Sequence, residues 1–179
     1  VANGVLGAWA IGNTSDYAAY NQTNGVGWVG YGGFIGYDAG FGTGNITNLG
    51  MSAASDVTTT LSAATTNTGL LRFMGGFINN LEFTSATDVL NLELGGILRS
   101  NNNNPTTIGT PTVPGVITSG LGELVVYNNQ NTITINSVIQ GATALVKSGA
   151  ATLALTNANT YTGGTTVAQG TLRLEGGLF

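Results

Sequence analysis

Apolar and polar positions alternate in short patches along the chain, and polar or glycine-rich turns bound each patch. Leu71-Arg72-Phe73, Leu81-Glu82-Phe83, Leu92-Glu93-Leu94, Ile133-Thr134-Ile135, Leu153-Ala154-Leu155 and Leu172-Arg173-Leu174 each place two apolar side chains on one face, with a polar or small residue between them. A period of two marks a half-buried strand. Helical spacing at three and four residues is almost absent, and glycine interrupts the chain too often for long helices. The pattern predicts an all-β protein.

The spacing of the patches carries more than their existence. One set begins at residues 71, 92, 133, 153 and 172, with steps of 21, 41, 20 and 19. The long step covers about two circuits and contains a weaker apolar patch at Val116-Ile117. A second set, Val126, Val146 and Val167, advances by 20 and 21. Two ladders sharing one period predict a single-stranded parallel β-solenoid of about 20 residues per rung. Its equivalent strands would stack about 4.8 Å apart around a continuous core. An antiparallel sandwich would instead favour longer strands joined by Asn-Gly connections, which are scarce here, as at Asn24-Gly25. The expected organisation is one domain. Residues 1–45 form an aromatic, glycine-rich cap or strand-rich entry, and residues 46–179 form the rungs. Asn101 to Asn104, Pro105, Pro111 and Pro114 break the rhythm, so residues 100–115 are expected to loop out, as a solvated loop or a contact site.

Composition supports tight circuits. The 179 residues include 29 Gly, 27 Thr and 20 Asn. Glycine accepts positive φ, asparagine tolerates it, and stacked Asn and Thr side chains can hydrogen-bond from one rung to the next. Only four residues are basic and eight acidic, with no His and no Cys. Four scattered cations cannot form a nucleic-acid surface. Disulfides are impossible, and zinc and haem lack their usual ligands, so no cofactor is expected. No stretch approaches the ~18 uninterrupted apolar residues of a membrane-spanning helix. The start, Val1-Ala2-Asn3-Gly4, shows no basic region followed by an apolar run, so no signal peptide is expected within this segment.

The densest motif lies near the C-terminus. It runs Leu145-Val146-Lys147-Ser148-Gly149-Ala150-Ala151-Thr152-Leu153-Ala154-Leu155, continues through Asn159, Tyr161, Gly163, Thr165 and Val167, and ends Gly170-Thr171-Leu172-Arg173-Leu174. This stretch resembles the autotransporter-associated β-strand repeat, with Ala151 where that family usually has glycine. The upstream segment, from Leu6-Gly7-Ala8-Trp9-Ala10 to Val125-Val126, more loosely resembles the non-repeat part of large surface proteins carrying this element. The resemblance implies a right-handed parallel β-helix within a secreted or cell-surface bacterial passenger region. It also implies a role in export and passenger folding rather than in chemistry. The chain ends at Phe179 just after an expected strand. A solenoid end needs covering, so either more of the same chain or a second subunit is expected there.

Catalytic signals are weak. The carboxylates Asp16, Asp38, Asp56, Glu82, Asp88, Glu93, Glu123 and Glu175 are dispersed. Only Glu82 and Glu123, about two circuits apart, could pair for glycoside chemistry; as solvated outward charges they would do nothing. Gly32 to Asp38 only faintly echoes a calcium repeat, and the Thr132-Ile133-Thr134 pattern of an ice-binding rank does not recur in later rungs. Binding has better support, because eight of 14 aromatic residues lie within the first 41 positions. Trp9, Tyr17, Tyr20, Trp28 and Tyr31 are the candidate glycan platform or protein contact; the same residues could instead plug the solenoid end. The expected function is a non-catalytic scaffold, coat or filament element of a surface protein, partnered by copies of itself or by flanking chain. An adhesin or glycan-binding module, with a surface polysaccharide as partner, is the alternative.

Overall fold

The structure, a computed structural model, describes residues 4–50, 53–99 and 104–176. Four short strands come first: β1 (Gly4–Val5), β2 (Ile11–Gly12), β3 (Asp16–Asn21) and β4 (Gly25–Trp28). They pair antiparallel around β3, with Asn24-Gly25 in the β3–β4 turn and Gly25 at φ 74°. The strands that follow pair in parallel. They are β5 (Gly42–Leu49), β6 (Val57–Leu61), β7 (Thr65–Phe73), β8 (Asn79–Phe83), β9 (Val89–Arg99), β10 (Thr106–Ile108) and β11 (Val116–Ser119). Then come β12 (Glu123–Asn128), β13 (Ile133–Ile135), β14 (Val138–Gly141), β15 (Ala144–Ser148), β16 (Thr152–Leu155), β17 (Thr160–Tyr161), β18 (Thr165–Val167) and β19 (Thr171–Leu174).

The parallel strands form a β-solenoid with three ladders. The first runs β6-β8-β10-β13-β16-β19. In it Thr59, Leu81, Ile108, Ile135, Leu155 and Leu174 stand in one column, so Ile135, Leu155 and Leu174 stack as the period requires. The steps are 20 and 19 residues at the C-terminal end but 27 from Leu81 to Ile108 and again to Ile135. Longer corners account for the difference. The span expected to loop out is part of this lengthening, but residues 106–108 within it are β10, a rung strand with Thr106 and Ile108 buried. Residues 100–103 of that span lie outside the described residues.

The other two ladders share β7 and β9. Residues 65–68 and 89–92 continue into β11, β14 and β17, whereas residues 70–73 and 96–99 continue into β12, β15 and β18. The strand bends between its two halves at Gly95, whose φ is 65° and whose added Cβ would run into the Glu123 carbonyl and Ser119 Oγ. A side chain there is excluded on both counts. The bend also corrects the expected spacing. Leu71 and Leu92 do not share the ladder of Ile133, Leu153 and Leu172, and Leu71 stacks on Ile97. The second expected set is shifted by one residue as well: Val126, Lys147 and Val167 form the column, and Val146 faces outward with Val125.

Inward Leu, Ile and Val from all three ladders make one core. Polar side chains that also turn inward satisfy the corner carbonyls rung by rung. Asn79 Nδ2 donates to Met74 O and Phe77 O, Arg99 Nη2 to Asn104 O, and Asn128 Nδ2 to Asn131 O and Thr152 O. Such corners leave backbone acceptors out of the ladders, and buried acceptors need partners.

Candidate functional site

The N-terminal antiparallel module lies on the outer face of the third ladder. That ladder is apolar on both sides, because residues such as Leu70-Leu71, Ile97-Leu98 and Val125-Val126 come in adjacent pairs. One of each pair enters the core, and its neighbour joins Ile46 in a stripe that receives Ala8, Tyr17, Ala19 and Val29. Gly96 interrupts the stripe and leaves a notch. A Cβ there would fall 2.5 Å from Leu70 Cδ2, 2.9 Å from Ala8 Cβ and 3.0 Å from the Tyr17 hydroxyl. Tyr17 passes through this notch region and donates its hydroxyl to Leu71 O at 3.0 Å. Phe41, by contrast, packs against the solenoid core itself.

Polar groups fasten the seam beside this stripe. Arg72 Nη2 meets Asp16 Oδ1 at 2.8 Å, and Arg72 Nε donates to Ser15 O at 2.9 Å. The Tyr37 hydroxyl donates to the same Asp16 oxygen at 3.0 Å, and the Arg72 guanidinium carbon lies 4.4 Å from the centre of the Tyr37 ring. Ser15 Oγ donates to the other Asp16 oxygen. Burial pushes the Tyr37 and Tyr17 phenols well above their usual range, so both are neutral donors at any ordinary pH.

Two cavities open along this seam, and Tyr37 borders both. One, of about 230 Å³, is lined by Asp16, Val29, Gly30, Tyr31, Tyr37, Arg72 and Met74. The other, of about 370 Å³, is lined by Tyr37, Asp38, Ala39, Asn48, Gly50, Ala53 and Val57. Asp38 is held in place by the Ile46 N–H, which it accepts at 2.8 Å.

The five aromatic residues expected to form a platform are scattered by the fold. Tyr17 is fully buried and belongs to the module's packing face, which removes it from any exposed platform. Trp28 and Tyr20 lie on the module's outer side, with the Trp28 ring over Gly12 where a Cβ would overlap it. Trp9 is 68% exposed, and Tyr31 is 52% exposed at the mouth of the smaller cavity. The carboxylates serve local structure. Glu93 accepts the Gly44 N–H at 2.6 Å, Asp88 caps the turn at Thr84 and Ser85, and Asp56 accepts the Ile78 N–H. Glu82 is on the first ladder and Glu123 begins a strand of the third, so the fold does not face them across a shared cleft. Among the described residues, no group of three or more carboxylates could hold a metal ion.

Residues 145–174 match the sequence model of the family described as passenger-associated-transport-repeat. The likeness covers 30 of the 179 residues. A stretch of 42 residues, 24% of the chain, is also 57% identical to the adhesin BmaC autotransporter of Brucella suis biovar 1 (strain 1330), and covers 1% of that protein's length. No solved structure matches the chain.

The matched stretch occupies the last rungs, and several of its residues hold the corners there. Lys147 is fully buried in the inward column and donates from Nζ to Ser148 O and Gly149 O at 2.6 Å and to Gln169 O at 3.1 Å. Gly149 turns at φ 78° close against Asn128, and Gly170 turns at φ 77° against Gly149. Asn159 Oδ1 takes the Ile139 N–H at 2.9 Å across one rung, and Asn157 Nδ2 reaches Asn136 O at 3.0 Å. In the same stack Thr156 Oγ1 meets Asn136 Oδ1. These Asn and Thr side chains therefore bond along the solenoid axis, as the composition leads one to expect.

Proposed function

We propose that this segment is a non-catalytic part of a secreted or cell-surface bacterial passenger, acting as a rigid scaffold that extends by adding rungs. The observation that supports this reading is the unbroken column Thr59, Leu81, Ile108, Ile135, Leu155 and Leu174, one residue from each successive rung, beside one continuous apolar core. Each rung pairs its backbone with the next and buries its apolar side chains against it, which makes the coil stiff along its axis. Electron microscopy of the purified protein tests the self-associating form. Regular fibres or lattices are expected. Dispersed particles at every concentration would overturn self-association.

An adhesive role is the second reading. It is favoured by the similarity to a protein named as an adhesin and by the concave seam where the N-terminal module meets the first rungs.

A further inference from the structure

The two seam cavities are concave, aromatic-edged and polar at once, and they share Tyr37. The smaller has the Tyr31 and Tyr37 rings, the apolar Val29 and Met74, and the Asp16–Arg72 pair in its lining. The larger continues beyond Tyr37 and adds the Asp38 carboxylate and the Asn48 side chain to small apolar walls of Ala39, Ala53 and Val57. Apolar walls with a few convergent polar groups are the common form of a small-ligand site. Volumes of about 230 and 370 Å³ suit one compact ring each. They are too small for a lipid chain or a folded peptide segment.

Charge narrows the ligand further. Arg72 is the sole cation among these lining residues, and it is already engaged by Asp16 at 2.8 Å. Asp38 then leaves the lining with an acidic balance, on a chain whose formal net charge is −4. A phosphate, uronate or sialate would meet repulsion and find no uncommitted positive partner. A neutral polyhydroxylated ring fits better. Its apolar C–H face can lie against tyrosine, while its hydroxyls reach the carboxylate and amide groups.

We propose that the seam is a binding groove for a neutral oligosaccharide, with one sugar ring in each cavity and Tyr37 between them. The proposal rests on the adhesive reading and names its ligand class. Residues of the N-terminal module and of the solenoid line the smaller cavity jointly, so the module's docking assembles that half of the site, whereas the connection at residues 37–39 and the first rungs line the larger.

The test is isothermal titration and NMR of the full chain with maltotriose, cellotriose, mannotriose and triacetylchitotriose, with sialyllactose as the anionic comparison. At least one neutral trisaccharide is expected to bind, and sialyllactose is expected to bind at least tenfold more weakly. Tyr31→Ala removes an exposed wall, and Ala39→Trp fills the larger cavity from an exposed position. Each is expected to weaken binding about tenfold or more, while near-ultraviolet circular dichroism and the melting temperature stay unchanged. Trp9→Ala lies outside both cavities and is expected to bind as the wild type does. The proposal is overturned if no neutral trisaccharide binds at millimolar concentration, if sialyllactose binds as well, or if both groove variants keep full affinity. Beads coated with the protein separate the two levels of inference. Adhesion to cells that soluble trisaccharides do not reduce would leave the adhesive reading standing and remove the groove.

Discussion

Asp16 and Arg72 lie 2.8 Å apart across the seam, with side chains only 10% and 3% exposed, and they belong to different parts of the fold. Asp16 opens the central strand of the antiparallel module, and Arg72 lies near the end of β7 in the solenoid. The pair therefore ties the module to the solenoid beside the apolar stripe. Breaking a buried pair leaves one charge without compensation and costs about 3–5 kcal/mol. Arg72→Met is expected to free the module while the rungs persist. Hydrogen exchange should accelerate at residues 16–28 and remain slow at residues 133–155. Uniform acceleration across both regions would mean that the module and the solenoid unfold as one unit.

Gly96 gives an independent test of the same docking. It stacks between Leu70 and Val125 in the outer stripe, and its missing side chain leaves room for Ala8 and the Tyr17 hydroxyl. Gly96→Val retains strand geometry but overfills the notch, a change that typically costs about 1–3 kcal/mol. Loss of the Tyr17 hydrogen bond should make the module sensitive to limited proteolysis. A wild-type cleavage pattern would show that the notch is slack.

The C-terminal columns were legible in the sequence because their corners are short. Ile135, Leu155 and Leu174 recur at 20 and 19 residues, and few insertions intervene to blur the period. The central rungs were harder to read for a geometric reason. β9 alternates on both sides of the Gly95 bend, so Leu92 and Ile97 look like parts of one strand although they serve two ladders. Lys147 was hidden by its charge, which suggests an outward position, whereas its ammonium is held by corner carbonyls inside the solenoid. The seam had a signal that period-two reading overlooks. Adjacent apolar pairs such as Leu70-Leu71 and Val125-Val126 mark strands buried on both faces, and a lone arginine beside one of them, Arg72, marks a buried polar partner.

Stacking also predicts unequal costs for one chemical change. Leu155 and Leu174 occupy successive places in a single column, but among the described residues Leu155 alone of the two has a rung on both sides. Leu155→Ala should destabilise the protein by about 2–5 kcal/mol, the usual range for a buried leucine. Leu174→Ala should cost less than about 1 kcal/mol, because much of its side chain already meets water. Urea denaturation of the two variants checks the difference. Equal costs would indicate that Leu174 is covered in solution by another rung, and its cost should then depend on protein concentration.

Lys147 makes stability depend on alkaline pH in a direction that can be worked out. Burial lowers its pKa from 10.5 to about 8, so the folded protein releases this proton before the unfolded chain does. Below pH 8 the ammonium is charged in both states, and its desolvation cost is fully present. Between about pH 8 and 10.5 the unfolded chain holds more protons, so stability rises with pH, by at most about 1.4 kcal/mol per unit. The chain has no His or Cys and only this one lysine, so besides the terminal amine little else titrates in the lower part of that window. Above about pH 10 the trend reverses, because Tyr17 and Tyr37 resist ionisation in the fold but ionise readily when unfolded, and together they outweigh the opposite contribution of Arg99, whose pKa burial lowers to about 10. Urea midpoints are therefore expected to climb from pH 8 to a maximum near pH 10 and then fall. Lys147→Met should remove the climb and lower the whole curve, because Ser148 O, Gly149 O and Gln169 O lose their donor. A variant that kept the climb would assign it to another group and place the Lys147 ammonium in water.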